Sequence, residues 1–307
     1  MSEIKTLKAI ALMGATGTGK SALAMKVAQM FHTCIIACDS MQLYRGLDIG
    51  TAKPSAEERQ AAPHFMIDCA DLSDTYSAAR WADEAADVID MENSKGNVPL
   101  VVGGTGMYLR ALLEGFADIP AEKPEVREQL QALQKEHGTA HLHAMLSSVD
   151  PVMAARLHAG DRQRIMRALG VFQSSGKTLS DWQAESHSTA REIECPVIVL
   201  EVERGILRNR IAERFDAMMA AGWLDEVRWL DEQHLGEMHP AVRAVGYRQL
   251  LGHLHGECSL QQAVRDGITA TRRYAKRQQT WFRNQTPDAT FGEAEVCFNA
   301  VYEVLKS

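Results

Sequence analysis

One eight-residue segment constrains the fold of this chain more than any other. Residues 14–21 read GATGTGKS and match the pattern G-x-x-x-x-G-K-[S/T]. The apolar run KAIALM precedes them as a predicted buried strand, and residues 21–31 follow with the apolar spacing of a helix. A strand, a glycine-rich turn and a helix in this order form a P-loop, whose backbone N–H groups and helix N-terminus bind phosphate oxygens. We therefore expect a diphosphate-bearing small molecule to bind at the start of an α/β domain.

Every residue of this loop is a candidate ligand for the diphosphate. The predicted diphosphate- or nucleotide-binding residues are Gly14, Ala15, Thr16, Gly17, Thr18, Gly19, Lys20 and Ser21. Lys20 supplies a positive charge, and the Ser21 hydroxyl is the predicted ligand of Mg²⁺, the expected cofactor. The motif predicts a diphosphate without specifying the chemistry, and no second strand outside CIIACD resembles the acidic strand of a typical ATPase.

The rest of the chain alternates between strand and helix patterns and then changes character. Residues 33–37 and 98–102 are further apolar strands, and a helical stretch covers residues 107–113. From about residue 120 to 188 the pattern is mostly helical, and strand character returns at residues 196–202. We predict an α/β fold with a P-loop NTPase-like parallel sheet core and an inserted, mostly α-helical domain. Residues 1–120 and 196–307 form the predicted catalytic core, and residues 121–195 form the predicted insertion.

Composition restricts the surroundings of the protein. None of the apolar runs in the 307 residues approaches the roughly 20 needed to span a bilayer, so we expect no membrane partner. The N-terminus carries charges and runs into the glycine-rich loop instead of a cleavage site, which predicts a cytoplasmic protein. The six cysteines include no C-x-x-C pair and are interpreted as reduced thiols. We expect a monomer.

The overall charge of −7 hides a basic segment. Residues 265–283 contain six basic side chains and one acidic one, for a net charge of +5 that leaves −12 elsewhere. Such a run is either a solvated helix face or a surface for nucleic-acid phosphates, since phosphate contacts depend on local charge.

Polar residues follow the second and third predicted strands. Asp39 and Ser40 end one of them, and the Gly-Gly-Thr-Gly run at residues 103–106 ends the other. Ligands of parallel sheets gather at the carboxyl ends of strands, so both segments should face the P-loop crevice. Asp39 could hold Mg²⁺, accept a proton from a substrate, or cap the next helix; the glycine run could bind an anion or be a plain turn.

At this point several motifs together resemble the tRNA dimethylallyltransferase family. They lie in family order from the N-terminus to Arg283 and are GATGTGKS, DSMQLY from Asp39, GTAKP from Gly50, VGGT ending at Thr105, VGYR ending at Arg248, and KRQQTWFR from Lys276. The resemblance implies transfer of the dimethylallyl group from dimethylallyl diphosphate to N6 of adenine 37 beside the tRNA anticodon. It implies Asp39, Thr105, Lys20 and Arg214 as catalytic residues, Asp39 as the base and the others facing the diphosphate. Arg214 could instead belong to an i,i+4 pair on an exposed helix surface.

The resemblance also implies an RNA surface that binds the anticodon stem-loop and to which the insertion, residues 121–195, contributes. The expected tRNA-binding residues are Asp39, Ser40, Met41, Gln42, Gln163, Arg164, Ile165, Met166, Arg167, Arg243, Ala244, Val245, Gly246, Tyr247, Arg248, Lys276, Arg277, Gln278, Gln279, Thr280, Trp281, Phe282 and Arg283. Trp281 or Phe282 would be available for packing or stacking, and the target base would leave its stack to reach Asp39.

The sequence departs from the family pattern at three positions, and other functions stay open. Ala15 and Thr18 replace Pro and Ser of the usual loop, and Lys123 stands where relatives often have Asp, which leaves an RNA contact there undecided. His137, His141 and His143 have no completing cysteine or acid and are interpreted as a helix surface. The alternatives are a prenyltransferase acting on free AMP, a small-molecule kinase, and an RNA-binding protein switched by a nucleotide.

Overall fold

The computed structural model describes residues 6–74, 76–115, 119–120, 122–185 and 191–306. Ala121, where the predicted insertion begins, and residues 1–5, which entered the prediction of a cytoplasmic protein, lie outside them. The strands are β1 Leu7–Lys8, β2 Ile10–Gly14, β3 Ile35–Cys38, β4 His64–Phe65, β5 Leu100–Gly103, β6 Ile193–Glu194, β7 Val197–Leu200 and β8 Thr290–Gly292. The helices are α1 Lys20–Phe31, α2 Ala56–Ala61, α3 Ala78–Ser94, α4 Gly106–Glu114, α5 Pro124–Val149, α6 Pro151–Arg156, α7 Arg162–Ser175, α8 Leu179–Glu185, α9 Arg204–Ala220, α10 Trp223–Asp231, α11 Pro240–Arg243, α12 Tyr247–Leu254, α13 Leu260–Gln285 and α14 Ala294–Lys306.

A parallel sheet organises the larger part of the chain. Its strand order is β4-β3-β5-β2-β7-β8, and every neighbouring pair is parallel. All residues of β2, β3 and β5 are buried, as expected when helices cover both faces of a parallel sheet. These findings confirm the predicted α/β fold. The carboxyl ends of β2, β3 and β5 lie side by side and carry the P-loop, Asp39 and the glycine run.

The first apolar run forms two strands where one was predicted. The chain changes partners at Ala9, whose N–H donates to the carbonyl of Glu194 over 3.0 Å, whereas the next N–H, of Ile10, donates to Pro99 over 3.0 Å. β1 therefore pairs with β6 in a separate two-stranded sheet, and β2 enters the main sheet. Hydrophobicity alone does not reveal such a change of partner.

The chain divides into two compact units. One comprises Met1–Leu113 and Arg191–Ser307, and the other Glu114–Ala190; the sequence placed the divisions at 120/121 and 195/196. In the second unit, α5 bends at Gly138, whose φ of 81° lies in the left-handed region that glycine tolerates. Its core contains Leu130, Leu142 and Ile165, all fully buried.

The structure bears on the predictions about cysteines and about membrane-spanning segments. All six cysteines are free thiols, as predicted. Within the part of the chain that the structure describes, helices long enough to cross a bilayer lack the necessary apolar character.

Candidate active site

A cavity of about 410 Å³ opens at the carboxyl ends of the central strands, within the unit that contains the sheet. The P-loop contributes Thr16, Lys20 and Ser21 to its lining, and Asp39 follows β3 into it. Ligands of open parallel sheets bind at this edge. The structure therefore brings together the loop and the acidic residue that the sequence assigned to one crevice.

Glycine conformations and two hydrogen bonds to backbone carbonyls stabilise the P-loop. Gly17 and Gly19 have φ values of 83° and 94°, which explains why glycine occupies these positions. The buried Thr18 hydroxyl donates to the carbonyl of Ala15 over 2.9 Å, and Arg210 donates to the carbonyl of Thr18 over 3.2 Å. Thr18 thus stabilises the loop from inside, and a serine, the family's usual residue there, could donate the same bond.

Two cations face the cavity beside the loop. The Lys20 ammonium lies 3.4 Å from the carbonyl oxygen of Ala15. Burial, and next the positive charge of Arg214, lower the pKa of Lys20 to about 8, while the Asp39 carboxylate opposes the shift. Burial also lowers the pKa of Arg214, again against the charge of Asp39. Since both cations are poorly solvated and repel each other, an anion bound between them would be strongly attracted.

Arg214 shares one face of α9 with apolar side chains. Ile211, Phe215 and Met218 line the cavity at positions spaced four and three residues apart, and Arg214 lies among them. This places Arg214 in the cavity rather than in an exposed helix pair. The three apolar residues were not predicted from the sequence, although their helical spacing around Arg214 is a signal that could have revealed them. The cavity therefore combines a cationic end with an apolar wall.

Asp39 and Thr105 are joined through a tight turn. One carboxylate oxygen of Asp39 accepts the N–H of Met41 over 2.9 Å, and the Thr105 hydroxyl oxygen accepts the N–H of Ser40 over 3.2 Å. Gly103 is required here because a Cβ atom would lie 2.0 Å from the carbonyl oxygen of Cys38. The backbone thus holds Asp39 in place while its side chain faces the cavity. The glycine run is both a turn and the place where the backbone closely approaches Cys38.

Gln278 of α13 connects the P-loop to the glycine run. Its carbonyl oxygen accepts the N–H of Thr16 over 3.0 Å, and its amide donates to the carbonyl of Gly104 over 2.8 Å. The side chain is only 7% exposed. The family resemblance implies RNA binding for Gln278, whereas the structure shows both its polar groups engaged within the protein.

A buried lysine organises the GTAKP segment. The Lys53 side chain is 1% exposed, and its ammonium donates to the carbonyl of Tyr44 over 2.8 Å and to Asp48 and Asp68 over 2.7 Å each. Two carboxylates and a carbonyl compensate the buried charge. Gln42 donates to the carbonyls of Thr51 and Ala52 over 3.1 and 3.2 Å, so this motif shapes one wall of the cavity.

The residues expected to bind tRNA fall into several environments. Lys276, Arg277, Arg243 and Arg248 are exposed, and Arg277 and Arg243 also line the cavity. Arg283 is paired with Glu201 over 2.8 Å. Within α7, residues 162–164 are exposed and Arg167 donates to the carbonyl of Pro120 over 3.3 Å.

Further side chains of this set are buried. Ile165 and Phe282 are fully buried, and Met166 is buried in the same core as Ile165, which leaves these three no surface for RNA. Tyr247 is 1% exposed, and its hydroxyl donates to Glu226. Trp281 is half-buried against Gly106, where a Cβ atom would lie 2.2 Å from the indole ring. In α13, aromatic and basic residues follow one another directly at positions 281–283. Their order in the sequence therefore does not show which of them lie on the buried face of the helix.

Ser21 is the P-loop residue that the sequence predicts as a ligand of Mg²⁺. Ser21, at the start of α1, is exposed and lines the cavity. Among the described residues, groups of three or more His, Cys, Asp or Glu side chains that could hold a metal are absent, and His143 instead contacts the carbonyls of Ala154 and Leu157. Mg²⁺ commonly uses one or two protein oxygens together with phosphates and water, so Ser21 fits this mode.

The fold and the cavity define a P-loop α/β protein in which the P-loop and an apolar wall line the same cavity. Residues 42–285 match the family model described as IPP transferase, and the chain belongs to this family. The resemblance inferred from the motifs is therefore confirmed.

Individual relatives agree with this assignment. A tRNA dimethylallyltransferase of Halorhodospira halophila is 45% identical over 288 residues, which cover 93% of each chain. A crystal structure of the full-length tRNA isopentenylpyrophosphate transferase of Bacillus halodurans matches with a TM-score of 0.68 and 32% identity, covering 98% of this chain and 97% of that one. A eukaryotic dimethylallyltransferase acting on tRNA matches with a TM-score of 0.75 and 27% identity, covering 94% and 74%.

Proposed function

We propose that this protein transfers the dimethylallyl group of dimethylallyl diphosphate to N6 of adenine 37 in tRNA. The observation that carries the proposal is the composition of the cavity. A P-loop and two cations form one end of it, the apolar face of α9 forms a wall, and Asp39 lies on the same lining. A diphosphate ester with a branched hydrocarbon group matches this combination better than a nucleoside triphosphate does.

The proposed reaction forms one C–N bond and breaks one C–O bond. The exocyclic amine of adenine attacks the allylic carbon, and its proton passes to the Asp39 carboxylate, which acts as general base. The diphosphate leaves with additional negative charge. Lys20, Arg214 and the P-loop N–H groups would stabilise that charge, and the Thr105 hydroxyl would donate to the leaving oxygen. Mg²⁺, when bound at Ser21, would neutralise further charge on the diphosphate.

RNA binding is assigned to the basic face of α13 and to the rim of the cavity. Lys276 and Arg277 project from this helix, and Arg277 also reaches the cavity lining. Phosphate contacts of this kind would orient an anticodon stem-loop while the target base enters beside Asp39. We also propose that the protein acts as a monomer in the cytoplasm.

The test offers labelled dimethylallyl diphosphate with four acceptors in parallel. These are unmodified tRNA, an anticodon stem-loop with adenine at position 37, the same stem-loop with guanine there, and free AMP. We expect label on the first two alone, and on N6 after nuclease digestion. Label on AMP only would identify a free-nucleotide prenyltransferase. A separate incubation offers ATP with small acceptors, and phosphate transfer there without any prenyl transfer would identify a kinase.

A further inference from the structure

Glu226 on α10 makes contacts that the proposed chemistry leaves unexplained. One carboxylate oxygen accepts the N–H groups of Asp48 and Ile49, each over 2.7 Å. The other accepts the N–H of Gly50 over 3.0 Å and the hydroxyl of Tyr247 over 2.5 Å. A single carboxylate therefore receives three successive backbone N–H groups and a phenol, which occupy its four acceptor positions.

The turn held by this carboxylate forms part of the cavity wall. Gly50, Thr51 and Ala52 line the cavity, and Ala52 has a φ of 47°, a conformation that costs energy for a residue with a Cβ atom. Trp223 and Tyr247 pack edge to face over Gly50, with ring centroids 5.4 Å apart. A Cβ atom at Gly50 would lie 2.0 Å from the indole nitrogen of Trp223. The turn is thus confined by α10 and α12 on one side and open to the cavity on the other.

The same turn fixes the direction of the Gln42 side chain. The Gln42 amide nitrogen donates to the carbonyls of Thr51 and Ala52. Because its N–H groups are used there, Gln42 presents a carbonyl oxygen as its remaining polar group. A shift of the turn that Glu226 holds would therefore move both the wall and the Gln42 acceptor beside Asp39 and Met41.

We propose that Glu226 is a positioning residue that clamps the 48–50 turn and thereby shapes the acceptor side of the cavity. It acts through the backbone amides of residues 48–50 and through Tyr247, without touching the reacting atoms. This proposal rests on the proposed function, because it takes the acceptor to be an adenine base of RNA. The donor side, built from the P-loop, Lys20 and Arg214, does not depend on this clamp.

The test compares Glu226→Gln with Glu232→Gln, which makes the same charge change at an exposed position just after α10. In Glu226→Gln the side chain has one carbonyl oxygen instead of two carboxylate oxygens, so about half of the four hydrogen bonds are lost. We expect the amides of residues 48–53 to exchange hydrogen more than about tenfold faster in Glu226→Gln, because charge-assisted hydrogen bonds contribute more than neutral ones. Exchange in the P-loop and α1 should not change, and Glu232→Gln should match the wild type.

Steady-state kinetics provide the second readout. We expect kcat/KM for the stem-loop to fall about tenfold in Glu226→Gln while KM for dimethylallyl diphosphate stays unchanged. Tyr247→Phe, which leaves the three backbone contacts, should have a smaller effect on exchange of the turn.

Several outcomes would overturn the proposal. They are unchanged exchange at residues 48–53, faster exchange throughout the protein, and an equal loss for donor and RNA. The exchange measurement needs no substrate. If the wild-type protein showed no prenyl transfer, the proposed function would be refuted. Hydrogen exchange at residues 48–53 would still decide whether Glu226 holds the turn.

Discussion

Replacing Gln278 with leucine should separate a structural role at the P-loop from a role in RNA binding. Leucine has nearly the same volume as glutamine, so the change removes two hydrogen bonds while the site stays filled. The N–H of Thr16 and the carbonyl of Gly104 then lose their partners at 3.0 and 2.8 Å. Because the side chain is 7% exposed, water has little access to replace it.

The magnitude follows from these two groups. A buried polar group left without a partner costs about 1–3 kcal/mol. Thr16 lines the cavity and can regain water, so we assign it about 1 kcal/mol, and the buried carbonyl of Gly104 about 2 kcal/mol. The expected loss is about 3 kcal/mol of unfolding free energy, which for a chain of this size lowers the melting temperature by about 5 °C.

The kinetic consequence should be confined to the donor. Thr16 is a P-loop residue, and displacement of its amide misaligns the diphosphate, so we expect kcat/KM for dimethylallyl diphosphate to fall about tenfold or more. The dissociation constant for the anticodon stem-loop should not change. Gln261→Leu, at an exposed position near the start of the same helix, is the matched control. An unchanged melting temperature, or a loss of RNA binding with intact donor kinetics, would refute the reasoning.

Four further expectations test the site. Asp39→Asn should reduce kcat about a hundredfold or more with RNA binding intact, as for other lost general bases; turnover equal to wild type would remove Asp39 from its role. The protonated form of Lys20 binds the diphosphate, and its pKa is about 8 in the free protein, so calorimetry should show the donor binding less tightly as pH rises through 8. Lys20→Arg should abolish that pH dependence, and a persisting dependence would assign it to another group. Replacing both Lys276 and Arg277 with glutamine should weaken RNA binding and reduce the slope of log K against log salt by about 1–2; an unchanged slope would make this segment a solvated face. Ser21→Ala should raise the Mg²⁺ concentration needed for half-maximal rate, whereas an identical Mg²⁺ curve would argue against a ligand at this position.

The fold was predictable from the sequence where local pattern and burial agree. The P-loop, the apolar strands before it and after it, and the helix that begins at Pro124 all carry strong short-range signals. The short strands β4 and β8 escaped prediction because two or three residues contain no measurable period. The change of partner at Ala9 escaped because it depends on which strand end, near Glu194 or Pro99, lies beside each amide.

The sequence by itself predicted the chemical groups of the candidate site: a P-loop with Lys20, an acid at Asp39, a hydroxyl at Thr105 and a basic helix. These follow from residue type and from the order of strands and helices, because a parallel sheet brings the ends of its strands together. Only the tertiary structure decided the partners of Gln278, Lys53 and Glu226. Gln278 and Glu226 contact backbone groups that lie up to 262 and 178 residues away in the sequence, respectively. Lys53 bonds a carbonyl and two carboxylates of nearby segments. Such contacts arise from packing, and a periodic pattern along one segment contains no information about them.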